Sequence, residues 1–104
     1  FCEEDDLVDV TLPLTEIQNT FPQLRFQRAT TNGTKISDLA DWEEMLLMSM
    51  CCHNIIANST FSWWSAYLNN HPNKIVCCPE TWFGPQMDFS MADFFPEDWK
   101  RIAN

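Results

Sequence analysis

Two short apolar runs, Ile55-Ile56-Ala57 and Ile75-Val76-Cys77-Cys78, bracket an aromatic stretch, Phe61 to Leu68, and this alternation restricts the fold more than any other feature. Each run is too short for a buried helix and is rich in strand-forming residues. The first stops at Asn58-Ser59-Thr60, three residues that favour turns and helix N-caps. We read a strand over 54–57, a helix from Ser59 to about Asn69, and a strand over 74–78. The stop Asn69-Asn70-His71-Pro72 fits a helix end. Neither run alternates, which predicts a parallel sheet covered on both faces. A helix between two such strands implies a right-handed crossover in a doubly wound α/β fold. Ligands of such folds bind at the C-terminal ends of the strands, where Asn58-Ser59-Thr60 lies.

A further helix precedes the first strand, from Ser37 or Asp41 to Cys52. Asp41 with Glu44 three residues on fits a capping box. Leu39, Trp42, Leu46 and Met50 recur at helical spacing, and Met45, Met48 and Cys52 form a second stripe. Two stripes predict a helix buried on most sides. Upstream, residues 1–14 read as an acidic loop, then a strand or a poorly formed helix. Residues 15–23 read as a short helix or turn ended by Pro22, and Leu24 to Gln27 as strand-like. Asn32-Gly33 marks a turn. Pro96 suits the first position of a short terminal helix.

The 104 residues make one domain at most. Six basic residues against fifteen acidic ones give a net charge of −9, which argues against nucleic acid as a partner. No apolar run is long enough to span a bilayer, and no signal-peptide pattern is present. Five cysteines, Cys2 and the adjacent pairs Cys51-Cys52 and Cys77-Cys78, do not read as a disulfide framework. With His53 they could form a zinc site, but buried free thiols suit their apolar setting better. His53 reads as a buried, hydrogen-bonded structural residue and His71 as a surface loop residue. With two glycines in the chain, a Gly-rich phosphate fingerprint is impossible.

A strand that turns straight into a helix leaves amides unpaired at the positive end of the helix dipole. This suits a diphosphate, with the Ser59 and Thr60 hydroxyls and the amides of Thr60 and Phe61 as donors. The plain alternative is an ordinary N-cap. The aromatics Trp63 and Trp64 read as core. Asn58-Ser59-Thr60 and Asn32-Gly33-Thr34 also match the glycosylation acceptor pattern.

The stretch Ile55-Ile56-Ala57-Asn58-Ser59-Thr60-Phe61-Ser62-Trp63-Trp64 resembles a motif of the alpha-1,2-fucosyltransferase family. Ser65 stands where that family usually has Gly. Leu47-Met48-Ser49-Met50-Cys51 with His53, then Lys74-Ile75-Val76, Pro79, Trp82-Phe83, Pro96, Trp99 and Ile102 extend the likeness. It is close over residues 44–102 and loose over 1–43. The resemblance implies half of a GT-B type glycosyltransferase: a Rossmann-like parallel sheet with flanking helices, and no metal or other cofactor. It implies transfer of fucose from GDP-fucose to the 2-hydroxyl of a galactoside. The chain would then be the C-terminal, nucleotide-sugar-binding portion, inactive alone. The missing N-terminal half, with a His-x-Arg-Arg motif absent here, would supply the arginine. Asn58, Ser59, Thr60 and Phe61 would seat the diphosphate. Glu44, with Asp38 and Glu43 near it, and Glu4, in the acidic cluster with Glu3 and Asp6, would approach the nucleoside. Acids at a helix N-terminus also favour the dipole without any ligand. The same likeness implies peripheral membrane association through the full-length protein, cytoplasmic in a bacterium and Golgi in a eukaryote. The alternative is a non-catalytic module that binds an anion or a protein.

Overall fold

The computed structural model describes residues 7–29, 39–84, 90–91 and 93–104. The chain divides into two compact units, Phe1–Ala40 and Asp41–Asn104.

The first unit holds helix α1, Leu7–Thr20. It is continuous where the sequence suggested a loop or strand giving way to a short helix. Pro13 lies inside it, so one amide is missing from the helical ladder. The hydroxyls of Thr15 and Thr20 donate to the carbonyls of Thr11 and Glu16. Gln18 then ties down the residues that follow. Its Nε2 donates to the Leu24 carbonyl at 2.6 Å, and its Oε1 accepts from the Phe26 amide at 3.0 Å. Leu24 to Gln27 form no strand. The turn at Asn32-Gly33 lies outside the described residues.

The second unit runs α2 (Asp41–Ser49), β1 (Asn54–Ile55), α3 (Thr60–Tyr67), β2 (Val76–Pro79) and β3 (Lys100–Ile102). The strands form one parallel sheet in the order β1-β2-β3. Asn54 pairs with Val76, Ile55 with Cys77, and Cys77 to Pro79 with Lys100 to Ile102. The expected order helix, strand, helix, strand therefore holds, with shorter elements. The expected helix from Pro96 does not form. Trp99 donates its amide to the Pro96 carbonyl in a single turn, its ring is buried, and the residues after it pair with β2. Pairing to a buried strand outweighs the local preference for a helix start.

One face of the sheet carries the core. Asn54, Ile56, Val76 and Cys78 are buried, and Ile56, Val76 and Cys78 cluster with Ala66, Trp82 and Trp99. Trp63, Phe83, Met91, Phe94 and Phe95 pack around them. The opposite face is open: Ile55 is 89% exposed, and Ile75 and Ile102 are exposed with it. The absence of alternation predicted cover on both faces, whereas Ile55, Ile75 and Ile102 on this second face are exposed. Helix α2 is likewise not buried on most sides. Trp42, Leu46 and Met50, spaced four apart, are exposed, and no α2 residue is fully buried. One apolar stripe has a partner in α3, and the other faces outward.

A buried amide network locks the helices to the sheet. Asn69, 2% exposed, donates from Nδ2 to the Cys51 carbonyl and to Asn54 Oδ1, both at 2.7 Å. Its Oδ1 accepts from the His71 amide at 2.8 Å. Asn54 Nδ2 donates onward to the Met48 carbonyl at 3.0 Å. Lys74 Nζ donates to the carbonyls of Ala66 and Asn69, placing a cation at the negative end of α3.

Candidate diphosphate site

The strand β1 ends, and Ile56 to Thr60 make the corner into α3. The Ser59 amide donates to the Ala57 carbonyl at 2.8 Å, closing the chain tightly around Asn58. Ser59 is the N-cap, with φ −129° and ψ 130°, and its carbonyl accepts the Trp63 amide at 2.9 Å. Its side chain makes no capping bond. Ser62 braces the carbonyl side of the corner instead. That buried hydroxyl donates toward the Ala57 and Ser59 carbonyls, at 3.1 and 3.0 Å. Ser59 itself is exposed.

Asn58, Ser59 and Thr60 are all exposed, and Phe61 is half-buried. The amides of Thr60 and Phe61 in the first helical turn have no hydrogen-bond partner among the described residues. Two hydroxyls and two amides thus belong to three consecutive residues, Ser59 to Phe61, at the positive end of a helix dipole. The corner offers neutral donors to an anion. The Asn58 side chain turns elsewhere, its Nδ2 donating to the Trp82 carbonyl at 3.3 Å.

The remaining sequence candidates fall apart from this group. Glu44 is half-buried in the first turn of α2 beside Asp41 and Glu43, and no described contact carries it to the corner. Asp41 is the first helical residue, not the cap. Glu4, Glu3, Asp6 and Asp38 lie outside the described residues, as does Cys2. His53 is hydrogen-bonded as expected, its Nδ1 accepting the Ile75 amide at 3.0 Å, but it is exposed and not buried. His71 is an exposed loop residue. Trp63 packs on the core and stacks on Tyr67, whereas Trp64 is 49% exposed and so not core. Ser65 is fully buried; its Oγ donates to the Phe61 carbonyl at 2.9 Å and lies 3.8 Å from Met48 Sδ.

The thiols are free, in three different settings. Cys78 is buried, Cys51 and Cys77 are half-buried, and Cys52 is exposed. Burial pushes the Cys78 thiol upward and the neighbouring Cys77 adds to this, while Arg101 opposes both. No cluster of metal-ligating side chains occurs among the described residues. None of the described helices is long and apolar enough to cross a membrane.

Sequence reasoning passed over Ser62, Asn69 and Lys74. Nothing in local pattern marks Ser62, but a polar residue three places past an N-cap serine is a position from which a hydroxyl can reach back.

Comparison with known proteins points one way. The family model described as glycosyl transferase family 11 matches residues 18–103. An O-antigen biosynthesis glycosyltransferase of Escherichia coli, WbnK, is 60% identical over 40 residues, which are 38% of this chain and 13% of that protein. An alpha-1,2-colitosyltransferase of the same organism is 44% identical over 59 residues, 57% of this chain and 20% of that protein. The matched stretches thus span a fifth or less of either relative. No solved structure matches the chain.

Proposed function

The chain belongs to glycosyl transferase family 11, and from that membership we propose that it forms the donor-seating, C-terminal portion of an alpha-1,2-fucosyltransferase with one half of a GT-B architecture. The donor is GDP-fucose and the acceptor a galactoside. In the reaction the acceptor 2-hydroxyl oxygen bonds to the sugar's anomeric carbon. The bond from that carbon to the β-phosphate oxygen breaks, and GDP leaves with the electron pair. The hydroxyl proton passes to a base outside the residues assigned here. This portion's task is to hold the leaving diphosphate, whose charge grows as the bond breaks.

The observation that supports this reading is the exposed corner at Ser59 and Thr60, with the Thr60 and Phe61 amides unpaired among the described residues. The donors at this corner are neutral, and Lys74 is engaged at the far end of α3. Arginine from the rest of a longer enzyme would add charge-assisted bonds. The name of one relative, an alpha-1,2-colitosyltransferase, favours a second donor sugar, colitose, with the same linkage.

Calorimetry tests the seat. GDP should bind the 104-residue chain weakly, equally well in EDTA, and combined Ser59→Ala and Thr60→Ala should weaken it about a hundredfold or more, two lost charge-assisted donors. Unchanged binding would remove the phosphate role. The chain alone should not transfer fucose to a galactoside; turnover in a GDP-release assay would show that it carries the whole machinery.

A further inference from the structure

Two histidines hold the connection from α3 into β2, and each does so through the same ring atom. His53 Nδ1 accepts the Ile75 amide at 3.0 Å, and His71 Nδ1 accepts the Asn73 amide at 3.3 Å. Ile75 is thereby fixed through both backbone groups, since its carbonyl accepts the Asn54 amide at 3.0 Å. His71 is tied to the buried network as well. Its amide donates to Asn69 Oδ1 at 2.8 Å, and its carbonyl accepts the Lys74 amide at 3.2 Å. The two rings meet edge to face with centroids 6.2 Å apart. Both residues are exposed, so protons from solvent reach them. A neutral imidazole that accepts at Nδ1 carries its one proton on Nε2. A second proton can go only to Nδ1, where it turns the acceptor into a donor opposed to the amide.

The charged groups around the pair do not offset such a change. Lys74 stands in the same connection and is already a cation. No Asp or Glu occurs from Met45 to Pro79, although the chain has fifteen acids. On α2, Asp41, Glu43 and Glu44 lie in the first turn, at the end away from His53. On the other flank of β2, Glu97 and Asp98 precede β3, and neither bonds to either ring among the described residues. Lys100 and Arg101 of β3 are cations, and Cys51, Cys52 and Cys77 are free thiols.

We infer that His53 and His71 form a proton-released clasp on residues 71–75. Neutral rings hold the Ile75 and Asn73 amides. Imidazolium rings let both go and repel one another, which loosens the entry to the central strand while the core stays packed. Histidine is the side chain that makes this change between about pH 8 and about pH 5. The clasp is independent of the donor-seat reading, since it lies at the opposite ends of the strands.

Nuclear magnetic resonance on the 104-residue chain tests the clasp. At about pH 8 the ring nitrogens of both histidines should show the Nε2–H tautomer. As pH is lowered to about 5, the Ile75 and Asn73 amide protons should move upfield with the midpoints of the rings that hold them. Amides within α3 should stay in place, which separates release from general unfolding. Exchange at the Ile75 amide, corrected for its intrinsic rate, should quicken about three- to tenfold, the span of one hydrogen bond. Combined His53→Asn and His71→Asn puts a carboxamide oxygen where each Nδ1 stood, an acceptor that takes no proton in this range. Both amides should then keep their shifts throughout. An Nδ1–H tautomer on either ring at about pH 8 would overturn the clasp. So would amide shifts in the parent that ignore the ring titration, or shifts that follow pH equally in the double variant. If the double variant does not fold, the tautomers and the parent shifts decide.

Discussion

Cys78 illustrates how much one position can say about its surroundings. It is buried in the core, and its thiol is pushed above the ordinary range. A raised value in the folded state means that the unfolded chain gives up this proton more readily. The associated stability is whole below the ordinary thiol value and is lost as pH rises through the folded value. Stability measured by urea should therefore decline in alkaline buffer, and Cys78→Ala should flatten that decline. Iodoacetamide with mass spectrometry should modify Cys52 first and Cys78 only after unfolding, because exposure and thiolate character govern reactivity. Composition predicted buried thiols, yet which of the two adjacent cysteines points inward is decided by strand register, which no local pattern reveals. The same limit applies at His53. A partner for its ring was foreseeable, but not that the Ile75 amide would meet it at the surface.

Between neighbouring elements, a buried polar network joins α2, β1 and α3 beside their apolar contacts. Asn69 serves the Cys51 carbonyl, Asn54 and the His71 amide at once. Asn69→Leu should cost about 2–4 kcal/mol in urea unfolding, since it leaves buried groups without partners. Trp63→Ala should cost about 3–5 kcal/mol, while Trp64→Ala should stay close to 1 kcal/mol or below, because that ring is half in solvent. The order of helices and strands was legible from β1 to β2, where the apolar runs and the N-cap residues agree. It failed at residues 96–102, where Pro96 promised a helix and pairing with β2 produced a strand. Over α1 it held only in part: a helix was one of two readings, but Pro13 and the alternating Leu7, Val8, Val10 and Leu12 hid that it runs unbroken for fourteen residues. Tertiary pairing is invisible to a local window, and a proline inside a helix argues against the helix that contains it.

At the level of the whole chain, the strand-to-helix corner at Ser59 and Thr60 was readable because small polar residues there favour a turn and a helix N-cap. That the Asn58 carboxamide belongs to Trp82 was not, since 24 residues separate the pair. Charge is a further whole-chain property with a measurable effect. At net −9, an anionic ligand meets long-range repulsion. GDP should therefore bind better as salt is added up to physiological strength, the reverse of a basic site; a fall in affinity over that range would point to cations at the seat. Finally, the strand edge at Ile55 presents a bare isoleucine to water, and such edges nucleate clumping in storage. A lysine in its place would disturb no interior atom. Ile55→Lys is thus a route to concentrated, well-behaved samples, and light scattering would register the gain within hours.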